Sequence, residues 1–144
     1  MSDMESLREE SCIFCRIVAG EVPAHKVYED DRLVSFLDIG PLSEGHLLVV
    51  PKAHYVTIDE MPGDLAASCM AVVPMLSRAL RDATGAQAWN LLQNNGREAG
   101  QLVEHVHFHL IPRRGDEGLD INWPAGKLDP DKADDLQQRI RAAI

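Results

Sequence analysis

Basic residues are scarce in this 144-residue chain: 14 Lys and Arg stand against 23 Asp and Glu, a formal charge of −9. Affinity for DNA or RNA comes largely from cationic side chains that neutralise phosphates, so this balance argues against a nucleic-acid partner. One small phosphorylated ligand is still compatible, because a few convergent backbone N–H groups can hold a phosphate against an unfavourable overall field. Long apolar runs are missing as well. None approaches the ~20 residues of a membrane-spanning helix. The polar, acidic opening Met1–Glu10 has neither the basic start nor the apolar centre of a secretory signal. The expectation is a cytoplasmic protein without a membrane partner. Cysteine is sparse too, and three residues, an odd number, do not make a disulfide framework. Neither an internal repeat nor a low-complexity tract is present.

What is there fits one domain over residues 1–144, with residues 1–10 as a mobile lead-in. Cys12 to Ala19 suits a short helix, stopped by Gly20 and the Glu21-Val22-Pro23 break. Lys26 to Glu29 and Leu33 to Leu37 read as two strands of a hairpin around Asp30-Asp31. His46 to Val50, ahead of Pro51, is a third strand whose consecutive apolar residues imply cover on both faces. Leu65, Cys69, Val72, Val73, Leu76 and Leu80 recur at helical spacing, predicting an amphipathic helix over Asp64 to Asp82 that ends near Gly85. Pro74 inside it removes a backbone donor and crowds the preceding turn, so a kink is expected there. Ala88 to Gln93 is a fourth strand, Asn94 to Gln101 a loop, Leu102 to Ile111 a fifth strand, and Asp129 to Ile144 a last helix with Leu136, Ile140 and Ile144 on one face. This order predicts an α+β fold: a five-stranded, mostly antiparallel sheet with one long helix, a short N-terminal helix and a C-terminal helical extension over residues 115–144.

Half of the six histidines fall in the run His105-Val106-His107-Phe108-His109. A strand sends alternate side chains to opposite faces, so three imidazoles share one face and Val106, Phe108 and Leu110 the other. Neighbouring histidines are then roughly 6.5–7 Å apart at Cα. Imidazole titrates near neutrality, which lets it attack phosphorus when neutral and donate a proton when charged. Such attack splits a difficult hydrolysis into two displacements with a nucleotidyl-histidine between them. His107, flanked on both sides, suits the nucleophile, and His109 suits a hydrogen bond to the phosphate or leaving group. The same alternation is compatible with three ligands to a catalytic metal.

Just upstream, Asn94-Asn95-Gly96-Arg97-Glu98-Ala99-Gly100-Gln101 lets backbone approach a ligand closely, and Asn94 and Gln101 can donate to phosphate oxygens. Asp38, closing the second strand, can accept from two ribose hydroxyls or can simply cap a turn. Cys12 and Cys15 have the spacing that brings two thiolates to one tetrahedral zinc; two further ligands would be needed, and an empty reduced pair is the alternative. No strand precedes Cys12, so a thioredoxin-like redox pair is disfavoured. Cys69 lies on the apolar face of the long helix and reads as core. His25 reads as solvated, and Trp89 and Trp123 as packing groups. His46 reads either as support for the central imidazole or as an ordinary buried histidine.

Taken in order, these motifs resemble the histidine triad (HIT) superfamily, whose hallmark is His-φ-His-φ-His-φ-φ with φ apolar. Here it is His105-Val106-His107-Phe108-His109-Leu110-Ile111, followed by Pro112-Arg113. Cys12 to Pro23, Phe36-Leu37-Asp38-Ile39, Gly45 to His54, Asn94-Asn95-Gly96 and Gly100-Gln101 carry the resemblance across Cys12 to Arg113. It implies a HIT-like fold, commonly a homodimer joining two sheets, and activity on purine nucleoside phosphoramidates, adenylylated amines or dinucleoside polyphosphates, with no organic cofactor. It assigns His105, His107 and His109 to catalysis, with His107 as nucleophile and His109 on phosphate. Asp38 and Ile39 would hold ribose, Phe14, Ile17, Phe36 and Leu48 would line the base pocket, and Asn94, Gly100 and Gln101 would belong to the α-phosphate loop. Zinc-containing bacterial members point to His54 and His105 as the partners of Cys12 and Cys15 in a structural zinc site. One departure is plain: a serine commonly follows the glutamine of the loop, and this chain has Leu102. The other function compatible with the same motifs is a nucleotide-binding regulatory protein or scaffold with vestigial catalysis. The extension is expected to dock on the body or a dimer edge.

Overall fold

A computed structural model describes residues 8–144. Of the expected lead-in, Met1–Leu7 lies outside the described residues. Arg8–Glu10 is tied down: the Arg8 guanidinium donates to Glu21 at 2.6 Å, and the Glu9 carbonyl accepts from the Cys12 N–H at 3.0 Å.

The chain begins with α1 (Ile13–Val18), which Cys12 caps by accepting the Cys15 N–H on its sulfur. Gly20, at φ 78°, lets the backbone leave in a left-handed turn that a Cβ would strain. Strands β1 (Lys26–Glu29) and β2 (Leu33–Leu37) form the expected hairpin, because Asp30 Oδ1 accepts from both Arg32 N and Leu33 N and closes the turn locally. With β3 (Leu47–Pro51), β4 (Ala88–Gln93) and β5 (Phe108–Arg113) they make one five-stranded sheet in the order β1-β2-β3-β5-β4, antiparallel at every junction.

Both faces of the sheet are covered in the middle. Leu47 and Val49 of β3 join Leu33, Val106, Phe108 and Leu110 on one face, under the helices; Leu48 and Val50 join Val34, Phe36 and α1 on the other. Two-sided cover explains why β3 is apolar at consecutive positions. Each fully buried Leu or Val there contributes about 1.5–3 kcal/mol. The long helix divides into α2 (Gly63–Ala71) and α3 (Val73–Thr84), meeting at Val72. Pro74 explains the break: lacking an N–H, it fits the first turn of a new helix, where that donor has no partner anyway. By length and apolarity Gly63–Thr84 would suit a membrane span. In this fold its bend lays Leu65, Cys69, Leu76 and Leu80 on the sheet.

Two expectations need correction. The fifth strand starts at Phe108, not Leu102, because its partners run out: β4 ends at Gln93, opposite Phe108, and the Pro51 carbonyl at the end of β3 accepts from the ring of His105. The segment before Phe108 is held instead by Val106 N–H on the Tyr55 carbonyl at 2.7 Å. Its alternation nevertheless survives, with Val106, Phe108 and Leu110 in the core under the helices. The C-terminal extension ends in α4 (Pro130–Ala143), capped by Asp129, but no α4 residue is buried, and Leu136 and Ile140 remain about half exposed. Of the two expected docking places, α4 does not take the body of its own chain, whereas the start of the extension does touch it, with the Gly118 N–H donating to the Leu42 carbonyl at 3.2 Å. Trp123 is likewise exposed rather than packed, whereas Trp89 donates its indole N–H to Ser77 Oγ and lies under Arg81.

Candidate active site and metal-ligating cluster

The three histidines of the run are divided among three neighbourhoods, and the nitrogens left free at each decide what each can do. His105 is completely buried. Its Nε2–H donates to the Pro51 carbonyl at 2.8 Å, which leaves the Nδ1 lone pair facing Cys12 Sγ at 3.4 Å, Cys15 Sγ at 3.6 Å and His54 Nδ1 at 3.1 Å. Cys15 Sγ lies 3.4 Å from His54 Nδ1. A tetrahedral zinc with bonds of about 2.0–2.3 Å requires ligand separations of about 3.3–3.8 Å. These four separations lie close to those edges and all four atoms fall within 4.8 Å of one another, so two sulfurs and two imidazole nitrogens make a donor set that fits zinc. Burial, with Cys12 beside it, pushes the Cys15 thiol up to about 11. A bound cation would reverse that, since the ligand form is the thiolate. Burial also lowers the His105 pKa to about 4, keeping the ring neutral, the form in which imidazole ligates metals.

His107 turns the opposite way. Its Nδ1–H donates to its own chain at the His105 carbonyl, 2.6 Å away. A carbonyl can only accept, so the proton sits on Nδ1 and the lone pair on Nε2. The ring packs edge-on against Phe14 with centroids 5.1 Å apart, and it lines a cavity of about 580 Å³. Burial lowers the His107 pKa below the usual imidazole value, partly offset by the hydrogen bond to the His105 carbonyl and then by the Asp38 carboxylate.

At the third neighbourhood a chain of donors fixes His109. The Leu42 N–H donates to His46 Nδ1 at 3.1 Å, so the proton of His46 is on Nε2. That nitrogen is 2.9 Å from His109 Nδ1 and 3.5 Å from Asp38 Oδ2. His109 therefore accepts at Nδ1 and carries its own proton on Nε2, as a neutral donor in a ring that lines the same cavity. Burial holds the His109 pKa down to about 4 and lowers that of His46. Asp38 accepts the Gly40 N–H on Oδ1 at 2.8 Å, so it caps a turn and faces the histidine pair at once. His46 is the functional side chain whose role the sequence left open. It supports the last histidine of the run rather than the central one, and the strand period could have signalled this, because Leu48 is registered against His109.

Of the expected nucleotide contacts, Phe14, Ile17, Phe36, Asp38, Ile39, Leu48, Asn94 and Gly100 line the cavity together with His107 and His109. Gln101 does not. It is buried, its Oε1 accepts the Gly96 N–H at 2.7 Å, and its amide nitrogen donates to the carbonyls of Val56 and Val103. It shapes the loop and has no donor left for a phosphate. Gly100 stands at φ 95° with Asn94 Nδ2 against the place a Cβ would take, so the loop needs glycine there. His105, expected in both catalysis and metal binding, sits only at the cysteines. A catalytic metal on all three histidines is not supported, because their free nitrogens do not converge.

A model of the HIT domain matches residues 19–116. The chain is 41% identical to an adenosine 5'-monophosphoramidase, HNT1, of Candida albicans over 139 residues, 93% of this chain and 91% of that protein. Among solved structures, a HIT family protein from Bacillus anthracis superposes with a TM-score of 0.90 at 36% identity, over 94% of this chain and 98% of that one. A zinc-bound histidine triad family protein from Mycobacterium smegmatis superposes with a TM-score of 0.70 at 41% identity, over 74% of this chain and 77% of that one.

Proposed function

The chain belongs to the HIT family, and from that premise we propose that it hydrolyses or transfers the nucleoside monophosphate group of purine nucleoside phosphoramidates and related nucleotides through a nucleotidyl-histidine on His107. The observation that carries this reading is the hydrogen bond from His107 Nδ1 to the His105 carbonyl. It holds the ring as a neutral nucleophile with Nε2 free, and the imidazolium created by attack keeps a ready acceptor for its proton. His109, neutral with its proton on Nε2, donates a hydrogen bond to a non-bridging phosphate oxygen and strengthens it as charge builds up there. Asn94 and the backbone at Gly100 hold the α-phosphate, Asp38 and Ile39 the ribose, and Phe14, Ile17, Phe36 and Leu48 the purine. An adenosine 5'-monophosphoramidase among the relatives supports a phosphorus–nitrogen bond as the one cleaved.

In this reading Cys12, Cys15, His54 and His105 hold one zinc. With four protein ligands the ion has no open position, so it supplies a cross-link between α1 and the start of the histidine run rather than a Lewis acid. The donor geometry and the zinc-bound relative support it. A homodimer through the β4 edge is consistent with the half-exposed Leu91 and Trp89 on an edge strand.

The test is turnover of AMP-phosphoramidate by the wild type and by His107→Asn. Turnover should fall by roughly 10³-fold or more, as when a nucleophile is removed, while AMP binding measured by calorimetry stays within a few-fold. Undiminished turnover would refute the assignment, and a wild type that binds AMP without any turnover would favour the regulatory reading.

A further inference from the structure

Phe14 belongs to two sites at once. It lies between Cys12 and Cys15 in the first turn of α1, and its ring stands edge-on to His107 at 5.1 Å, His105 at 5.8 Å and Phe36 at 5.6 Å between centroids. With Ile17, one turn further along α1, it also walls the cavity that His107 lines. The backbone around it is tied to the sulfurs: Cys12 Sγ accepts the Cys15 N–H at 3.4 Å, and Cys15 Sγ accepts the Glu9 N–H at 3.5 Å. A shift of this turn moves the two sulfurs and Phe14 together. A second connection runs through His105, whose Nδ1 faces the sulfurs while its carbonyl accepts the Nδ1–H of His107 at 2.6 Å. The ring of His107 is thus held between Phe14 and the His105 carbonyl, both on segments that carry donors of the cluster. α1 is only six residues long, and isolated helices below about 12–15 residues are marginal in water. What fixes it is packing on β2 and β3 and, at its N-terminal end, the cluster.

We propose that zinc and nucleotide bind this chain cooperatively, with Phe14 as the positioning residue that carries the coupling. Zinc on Cys12, Cys15, His54 and His105 fixes α1, which preforms the purine wall at Phe14 and Ile17 and the orientation of His107. A nucleotide resting on Phe14 in turn holds the two sulfurs in place. The coupling rests on the zinc and nucleotide readings above and goes beyond them, since a cross-link that only stabilised the fold would leave the affinity of the loaded chain indifferent to Phe14. Once one ligand has ordered α1, the second meets a segment already ordered, so each tightens the other. Linkage makes the two effects equal: whatever factor zinc adds to AMP affinity, AMP adds to zinc affinity. Asn94 and Gly100 lie outside α1, so loss of zinc acts on the base and on His107 and removes no group from the phosphate loop.

The experiment compares zinc-loaded protein with protein stripped by a chelator, circular dichroism reporting whether the stripped chain is folded. Calorimetry should show AMP bound roughly fivefold or more tighter with zinc than without, and chelator competition should show zinc held tighter by the same factor when AMP saturates the chain. Phe14→Leu keeps an apolar side chain in the wall but loses the flat ring against His107. Its loaded and stripped forms should both bind AMP more weakly than wild type, and the difference between them should disappear. A second measurement needs no stripped chain and decides the matter if that chain is unfolded. With cobalt(II) in place of zinc, AMP should shift the thiolate-to-cobalt absorption bands of the wild type and leave those of Phe14→Leu where they are. Equal AMP affinity with and without zinc in a folded chain, or cobalt bands that respond alike in both proteins, would overturn the coupling and leave the zinc and nucleotide readings standing. A chain that takes up no zinc, or binds no AMP, sinks the coupling together with the reading beneath it.

Discussion

The two ends of the histidine run use the same side chain for opposite purposes. At His105 the ring is fully buried, its Nε2–H is spent on the Pro51 carbonyl, and its Nδ1 faces two sulfurs and the Nδ1 of His54 in one cluster of four donor atoms. At His109, four residues later, the ring is only partly buried, its Nδ1 is held by His46, and its Nε2–H is left for the cavity. His107 stands between them and takes its orientation from the first and its reaction space from the second. Residue type sets the range of chemistry; the hydrogen bond to the ring's other nitrogen selects from it.

Breaking the closed end should have the largest effect on stability. Cys15→Ser removes one of the four donors proposed to hold zinc; zinc measured by plasma emission should fall from about one per chain to a small fraction. Stability should drop by about 3 kcal/mol or more, lowering Tm by roughly 6–12 °C for a chain of this length. An unchanged Tm with full zinc content would show that the cluster does not tie α1 to the run. Breaking the support of the open end should act on catalysis instead. His46→Ala frees the Nδ1 of His109 to take the proton, and kcat should fall roughly 10–100-fold, the usual range for a supporting partner, with KM little changed. His46→Gln, which restores a donor near Nε2, should recover part of the loss and return the shape of the pH profile, which a purely structural defect would not.

A smaller effect comes from the turn that feeds His46. Gly45 has φ 91°, and a Cβ there would lie 2.7 Å from Thr84 Cγ2 and 2.9 Å from Leu80 Cδ1. Gly45→Ala should cost about 1–3 kcal/mol by denaturant melts, through α3 rather than through zinc. The mildest perturbation is acid. His109 is held near 4 and His46 is also lowered, against 6.5 for a free imidazole. For His109 the unfolded chain therefore binds more protons between about 4 and 6.5, so its contribution is complete above 6.5 and is lost as pH falls toward 4, and His46 acts in the same direction. Stability from pH 7 to 8 should be flat with respect to these two rings, and His46→Ala should flatten part of the acid limb.

Much of this was legible in the sequence, and the gaps have physical causes. The hairpin, β4, the broken helix and α4 follow from local signals: Asp30 in its turn, Pro74 in a helix, Asp129 before Pro130. The start of β5 does not, since it depends on where β3 and β4 stop offering partners and on a ring taking the Pro51 carbonyl. Alternation placed the three imidazoles opposite Val106, Phe108 and Leu110, yet could not show that each ring meets a different set of neighbours. Gln101 had the chemistry of a phosphate donor, but its hydrogen bonds to Gly96, Val56 and Val103 occupy it. The extension was expected to dock on the body or a dimer edge, and α4 leaves the body of its own chain uncovered; periodicity carries no information about what an apolar stripe meets.

The most direct test follows the phosphorus atom. Wild-type protein mixed with radiolabelled AMP-phosphoramidate, stopped within milliseconds in alkaline denaturant that spares phosphorus–nitrogen bonds, and digested for peptide mapping should carry AMP on the Nε2 of His107. Label on another residue, or rapid turnover with no protein-bound label at any time point, would contradict an attack by this ring.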